Sequence, residues 1–172
     1  NIYKQSYNKK IMNIDIALTK KPKNSTLVEG FPGFGLVGTI SNEFLIDHLQ
    51  TELIGKVILD DMPGMVAIHE GKIVEPLGIF YSKKYNIVFL HAITAAVGIE
   101  WKLSQVVMEL CKQLQVKEII SLEGVGSGSN AENSVSRVFY FANDKKTQEK
   151  LKKLGVEPLK EGIIMGVTGA LL

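Results

Sequence analysis

The sequence predicts an α/β protein with a mixed central sheet and helices on both faces, which is a three-layer α/β/α sandwich. Segments with strand patterns alternate with segments of helical periodicity along the 172 residues. Between residues 72 and 92, two strand-like runs follow one another with no helix between them, which predicts a β-hairpin and antiparallel pairing. The length suits one sizeable core, so we expect residues 1–172 to form a single α/β domain.

The first part of the chain predicts strand, turn, helix and strand. Residues 13–19 alternate apolar and polar side chains, and residues 25–30 form a short apolar run that ends in a glycine turn. Four residues at spacings of three and four then predict a helix over about residues 36–50: Val37, Ile40, Phe44 and His48. Residues 53–61 are a second apolar run, so this part of the chain has the pattern of a βαβ unit.

The second part continues the alternation after the hairpin. Six residues mark one apolar face of a helix over about residues 99–115: Leu103, Val106, Val107, Leu110, Cys111 and Leu114. The segments that follow predict a strand at 117–124, a polar loop at 125–134, a strand at 136–142, a short helix within 143–155 and a last strand at 161–167. We expect Asn143 or Asp144 to cap the short helix and Gly155 to end it.

Composition places the chain among ordinary globular proteins. It is 45% apolar and 22% charged, and 20 basic against 18 acidic residues leave a net charge of +2, which does not indicate nucleic-acid binding. Arg137 is the only arginine, so phosphate or carboxylate clamps are not expected. Cys111 is the only cysteine, so the chain has no intramolecular disulfide and fits a reducing, cytoplasmic setting.

The two ends of the sequence carry further expectations. The first residue is not Met, the opening segment has lysines throughout with no apolar signal core, and no run reaches the length of a membrane-spanning helix. The sequence ends at Leu172 within an apolar, glycine-spaced stretch. We therefore expect the natural protein to continue beyond this C-terminus.

The segment EGFPGFGLVGTI, residues 29–40, contains glycines in the spacing G-x-G-x-x-G. This spacing after a strand and before a helix is typical of dinucleotide-binding turns, where backbone N–H groups approach a pyrophosphate. Asp60, 22 residues after Gly38, lies near the position of a ribose-binding acid. The sequence thus raises the hypothesis of a nucleotide site.

Several features of the same turn favour a structural role. Pro32 removes a backbone donor, Phe31, Phe34 and Leu36 surround the glycines with bulk, and the chain forms a hairpin where a dinucleotide fold continues with helix and strand. We predict that Gly33 or Gly35 has positive φ. We predict a structural turn, with no cofactor, formed by Gly30, Pro32, Gly33, Gly35 and Gly38.

The segment LVEGFPGFGLVGTISNEFLIDHL, residues 27–49, resembles the signature of the proteasome assembly chaperone family, in the branch named for the second of those chaperones. The resemblance extends over most of residues 14–172. It implies an α/β sandwich similar to the nucleoside phosphorylase fold, homo-oligomers in archaea, and a role in placing proteasome α subunits into rings. In the same family, some archaeal relatives carry a C-terminal hydrophobic–tyrosine tail that docks on the α-ring. This sequence ends at Leu172 without one, so either the tail lies beyond the given sequence or this member works another way.

The sequence is therefore consistent with two alternative functions. The first is a non-enzymatic assembly factor that binds proteasome α subunits and self-associates, with Phe31, Phe34 and Trp101 either as interface anchors or as core. The second is a small-molecule or nucleotide-binding enzyme that uses the strand-end loops 30–36, 91–98 and 123–134.

Catalytic and metal chemistry have few candidates in this sequence. The three histidines do not pair at metal-ligand spacing, so we expect no metal site. A hydrolase could use His91 as its base with Ser127 or Ser129, although the nucleophile motif G-x-S-x-G is absent. The alternative is that His91 has a structural role at the end of a strand, with a hydrogen bond to the backbone. We assign no catalytic residue.

Overall fold

The computed structural model describes residues 14–94, 97–125 and 137–172. The chain divides into two compact units. The large unit comprises the residues up to Gly124 together with Met165–Leu172, and the small unit is Val125–Ile164. The expectation of a single domain stays a prediction.

The large unit is built around a six-stranded mixed sheet. The large unit has eight strands, six of which form this sheet. In chain order they are β1 (Ile14–Leu18), β2 (Thr26–Gly30), β3 (Glu52–Leu59), β4 (Ala67–His69), β5 (Lys72–Val74), β6 (Leu77–Ser82), β7 (Ile87–Ala92) and β8 (Glu118–Ser121). The order across the sheet is β1-β3-β6-β7-β2-β8, and β4 and β5 form a separate hairpin. β2 is parallel to β7 and β8, whereas the β1–β3, β3–β6 and β6–β7 pairs are antiparallel, so the predicted mixed sheet is confirmed.

Helices cover both faces of this sheet. These helices are α1 (Val37–His48), α2 (Glu100–Leu114) and α4 (Gly166–Leu171), whereas α3 (Lys145–Lys153) belongs to the small unit. Successive residues of a strand point to opposite faces. Leu27 of β2 accordingly packs in the main core with α2 and α4, whereas Val28 packs with Ile46 of α1. The three-layer arrangement is therefore confirmed, while the expected similarity to nucleoside phosphorylases stays a prediction.

The predicted last strand over residues 161–167 is wrong, because the chain forms α4 from Gly166 onward. Gly166 has a φ of 71°, which interrupts an extended backbone. Val167 and Leu171 are four residues apart and lie on one helical face, where both pack in the main core. The apolar spacing at this end thus follows a helical period.

The small unit contains α3 and two short strands, β9 (Phe139–Tyr140) and β10 (Glu157–Pro158), which pair in parallel. The strand expected at 136–142 is therefore shorter and lies outside the central sheet. Asp144 caps α3 by accepting a 2.9 Å hydrogen bond from the backbone N–H of Thr147, and Gly155 follows the helix with a φ of 79°, as predicted. Most of the loop expected at 125–134 lies outside the described residues.

Over the described ranges, no helix combines the length and the apolar character needed to cross a membrane.

Candidate protein-interaction faces and the glycine turn

The glycine turn connects β2 to α1 through a tight left-handed backbone. Gly35 has a φ of 65°, which meets the expected positive φ, and Leu36 follows with a φ of 55°. The backbone N–H of Leu36 donates a 3.1 Å hydrogen bond to the carbonyl oxygen of Gly33. A left-handed conformation at a non-glycine residue is uncommon, so the surrounding structure holds this turn in place.

The glycines of the turn allow the backbone of one segment to pack directly against the backbone of a neighbouring segment. A Cβ atom on Gly30 would overlap the carbonyl group of Gly38, and one on Gly38 would overlap the carbonyl oxygen of Leu122. A Cβ on Gly33 would overlap the carboxylate of Glu123. Because these glycines have no side chain, the backbones of β2, α1 and the segment after β8 are in direct contact. This geometry supports the structural role of the turn.

Strand order argues against the dinucleotide hypothesis for this turn. In a dinucleotide fold the acid that binds the ribose follows the strand next to the first one. Here β3, which precedes Asp60, is separated from β2 by both β6 and β7. Three strand spacings amount to roughly 14 Å. Asp60 therefore does not lie beside the glycine turn as the βαβ interpretation required.

A pair of carboxylates lies beneath the turn. Glu29 at the end of β2 is completely buried, and this burial, together with the charge of Glu123, raises the pKa of Glu29 to about 7, while the hydroxyl groups of Ser121 and Thr168 oppose the increase. Glu123 accepts hydrogen bonds from the Thr168 hydroxyl at 3.3 Å and from the Gly124 N–H at 3.2 Å. Burial also raises the pKa of Glu123.

This acidic pair was not predicted from the sequence. Its signal is Glu29, a single carboxylate within the apolar run of β2. Among the described residues, no group of three or more histidine, cysteine or acidic side chains could hold a metal ion. The arrangement can hold a proton at neutral pH, because one of the two carboxyl groups is favoured in its neutral form.

His91 is the next-to-last residue of β7 and faces α1 in a buried position. Burial lowers the pKa of His91, and the charges of Glu43 and Asp47 on α1 only partly compensate. The ring meets Phe80 edge-on with the centroids 6.3 Å apart. Both candidate nucleophiles, Ser127 and Ser129, lie outside the described residues, so the hydrolase arrangement stays a prediction.

The α1 face is a set of apolar side chains that point away from the sheet. They belong to α1 and the turn before it, and between 47% and 63% of each is exposed: Phe34, Leu36, Val37, Ile40 and Phe44. The ring of His48 stacks on Phe44 with the centroids 5.4 Å apart and extends this face. Contiguous apolar surface of this kind marks protein-interaction sites.

The side of α1 opposite to the α1 face meets the sheet through one glycine, one asparagine and one isoleucine. Gly38, Asn42 and Ile46 are the buried residues of α1. The side-chain amide of Asn42 donates a 2.8 Å hydrogen bond to the carbonyl oxygen of Leu90 in β7. The apolar spacing that predicted the helix therefore marks its outward side, and its inward side packs through a glycine and an asparagine.

The α2 face lies on the opposite side of the sheet and consists of Trp101 and Met108. These side chains are 72% and 56% exposed, and they are two helical turns apart. Met108 also lines an open groove of about 1000 Å³ next to Ile14 and Ile16 of β1. The inward side of α2 carries the predicted apolar residues, of which all except the half-buried Cys111 are fully buried.

The three candidate interface residues thus divide between core and surface. Phe31 is only 3% exposed and packs in the main core, so it is corrected from a candidate anchor to a core residue. Phe34 and Trp101 are exposed on the α1 face and the α2 face. These two remain candidates for contact with a partner.

Comparisons with known proteins agree with the resemblance. The model of the PAC2 family matches residues 27–172. The crystal structure of Pyrococcus furiosus PbaA, described as an archaeal homolog of proteasome-assembly chaperone, is 31% identical, with a TM-score of 0.80 over 92% of this chain and 65% of PbaA. Pyrococcus furiosus PbaB, described as an archaeal proteasome activator, is 19% identical, with a TM-score of 0.74 over 92% of this chain and 73% of PbaB, and supports the fold alone.

A curated relative from Methanocaldococcus jannaschii extends this comparison. It is an uncharacterized protein, 28% identical over 150 residues, which make up 87% of this chain and 60% of that relative. The chain thus spans less than two thirds of PbaA and of the M. jannaschii protein.

Proposed function

The chain belongs to the PAC2 family, and on that premise we propose that it binds proteasome α subunits, self-associates and assists the assembly of α subunits into rings. The similarity to PbaA, a homolog of proteasome-assembly chaperone, supports a chaperone-like role. A cytoplasmic location belongs to the same proposal and is supported by the single cysteine.

The observation that carries the proposal is that apolar side chains are exposed on both helix layers of the large unit. The α1 face and the α2 face lie on opposite sides of the sheet. A protein that holds a subunit while associating with its own copies needs two separate contact surfaces. Aromatic side chains such as Phe44 and Trp101 are also the residue types that anchor interfaces.

The geometry offers less support for an enzyme at the strand ends. A small-molecule site needs a concave pocket with converging polar groups. At the end of β2, Gly30 packs on the backbone of Gly38 and Gly38 packs on the backbone of Leu122, so these glycines serve contacts within the fold. The groove beside Met108 lies between β1 and α2, away from loops 30–36, 91–98 and 123–134.

A binding experiment with purified components tests the proposal. The chain is mixed with proteasome α subunits that have not yet formed rings, and complexes are measured by light scattering after size-exclusion chromatography. We expect a complex whose mass exceeds that of either component. Trp101→Ala and Phe44→Ala should each weaken one association without unfolding the chain, because both side chains are mostly exposed.

Val97→Ala provides the matched control. Val97 is 86% exposed and lies outside both apolar faces, so its replacement should leave every association unchanged. The absence of a complex between the wild-type chain and the α subunits would contradict the proposal.

A further inference from the structure

The small unit has apolar side chains but little core of its own. Among its described residues, 137–164, none is buried. Four of its large apolar side chains are between 59% and 83% exposed: Val138, Phe141, Leu154 and Ile163. Units of this size rarely bury enough surface to be stable alone. The small unit is therefore suited to contact another apolar surface.

The small unit is also basic. Residues 137–164 contain seven lysine or arginine residues and four aspartate or glutamate residues, which leaves a net charge of +3. Five of the lysines lie on α3, where Glu149 is the only acid. The lysines of α3 are exposed, and Leu154 directly after the helix is 69% exposed. A surface that fits it should combine apolar side chains with acidic ones.

The α1 face has this combination. Residues 31–55 contain no lysine or arginine, and their acids are Glu43, Asp47 and Glu52. Glu43 and Asp47 are exposed and flank Phe44 at positions one before and three after it. The apolar centre with an acidic rim is therefore complementary in charge to α3 and its surroundings.

We propose that the α1 face of one copy binds the small unit of a second copy, with α3 lying against the acidic rim. Two different surfaces meet in this contact, so it is heterologous and can close into a ring when the rotation between copies permits. The inference rests on the self-association in the proposed function. It leaves the α2 face, with Trp101 and Met108, available for the α subunit.

Paired charge reversals test this contact. One variant carries Glu43→Lys and Asp47→Lys on the α1 face, and the other carries Lys150→Glu and Lys153→Glu on α3. Like charges facing each other in an interface are strongly unfavourable, so each variant alone should self-associate at least about tenfold more weakly in sedimentation velocity. An equal mixture of the two variants should regain association, because each reversed surface then meets its complement. Higher salt should weaken the wild-type association.

A matched control and a second variant keep the test decisive. Lys83→Glu with Lys84→Glu makes the same change in charge in the turn between β6 and β7 and should leave association unchanged. Circular dichroism verifies that each variant is folded. If the α3 reversal has no effect while Phe44→Ser abolishes association, the α1 faces pair with each other and the inference is overturned. A wild-type chain that is monomeric at all concentrations also overturns it.

Capture of α subunits is measured separately with the same variants. We expect both reversed variants to retain it, since their changes lie outside the α2 face. If the wild-type chain captures α subunits but does not self-associate, the contact between copies is overturned and α-subunit binding stands. Loss of capture with intact self-association would instead contradict the proposed function alone.

Discussion

Replacement of Glu29 by glutamine should change how the stability of the chain depends on pH. Glu29 is completely buried beneath the glycine turn, and the groups that face it are the carboxylate of Glu123 and the hydroxyls of Ser121 and Thr168. Burial is the main reason that its pKa rises to about 7. Glutamine has nearly the same shape and carries no charge, so the variant removes the titration while retaining the packing.

The magnitude follows from the difference between the folded and unfolded pKa values. The pKa of Glu29 rises from 4.5 to about 7, and each pKa unit corresponds to about 1.36 kcal/mol. The folded state therefore binds this proton more tightly than the unfolded state does, and the free energy of unfolding decreases as pH rises through this window. The loss is complete above about pH 7 and amounts to roughly 3 kcal/mol.

Urea unfolding at a series of pH values between about 4.5 and 8 measures this effect. The Glu29→Gln variant should match the wild type near the acidic end and exceed its stability by up to roughly 3 kcal/mol at the alkaline end. Glu123→Gln is the companion variant. The charge of Glu123 helps to raise the pKa of Glu29, so in this variant the free energy of unfolding should change less across the same pH range. Parallel stability curves for wild type and Glu29→Gln would refute the reasoning.

Three further predictions concern the turn and the core. Gly38→Ala should destabilise the chain by about 1–3 kcal/mol in thermal or urea unfolding, because its Cβ would overlap the Leu122 carbonyl oxygen, whereas Gly64→Ala, in open space, should have little effect; equal stabilities would contradict the backbone packing. Calorimetry with NAD or ATP should give no dissociation constant below about 10 μM, and a tighter value would revive the nucleotide hypothesis. Burial raises the pKa of Cys111 to about 11, so thiol reagents should modify it slowly until the chain unfolds, and rapid modification of the folded chain would contradict its placement.

The sequence predicted the six strands of the central sheet and the helices α1 and α2 because their patterns are local. The hairpin of β6 and β7 was visible as two apolar runs with a short polar turn, and the inward residues of α2 followed from spacing alone. Strand order is not local. The sequence could not show that β7 and β6 lie between β2 and β3, which removes Asp60 from the neighbourhood of the glycine turn. A strand was wrongly predicted at 161–167 because Val167 and Leu171 follow a helical period over only one turn, which is too short to identify a helix.

The candidate interaction faces were only partly predictable. The spacing of Val37, Ile40 and Phe44 predicts a helix, but periodicity does not reveal which side of a helix meets the sheet. The clue is the opposite side, where Gly38 and Asn42 allow close approach to the sheet and a hydrogen bond to β7. The buried pair of Glu29 and Glu123 depends on contacts between segments far apart in sequence and could not be predicted.

Hydroxyl-radical footprinting of the chain with and without proteasome α subunits tests the central claim most directly, which is that the exposed apolar faces serve protein association. Aromatic side chains are oxidised according to their exposure, and Phe44 and Trp101 report on the α1 and α2 faces. We predict that Trp101 becomes protected when α subunits are added and that Phe44 becomes protected as the chain concentration rises. Unchanged oxidation of both residues under both conditions would contradict the claim.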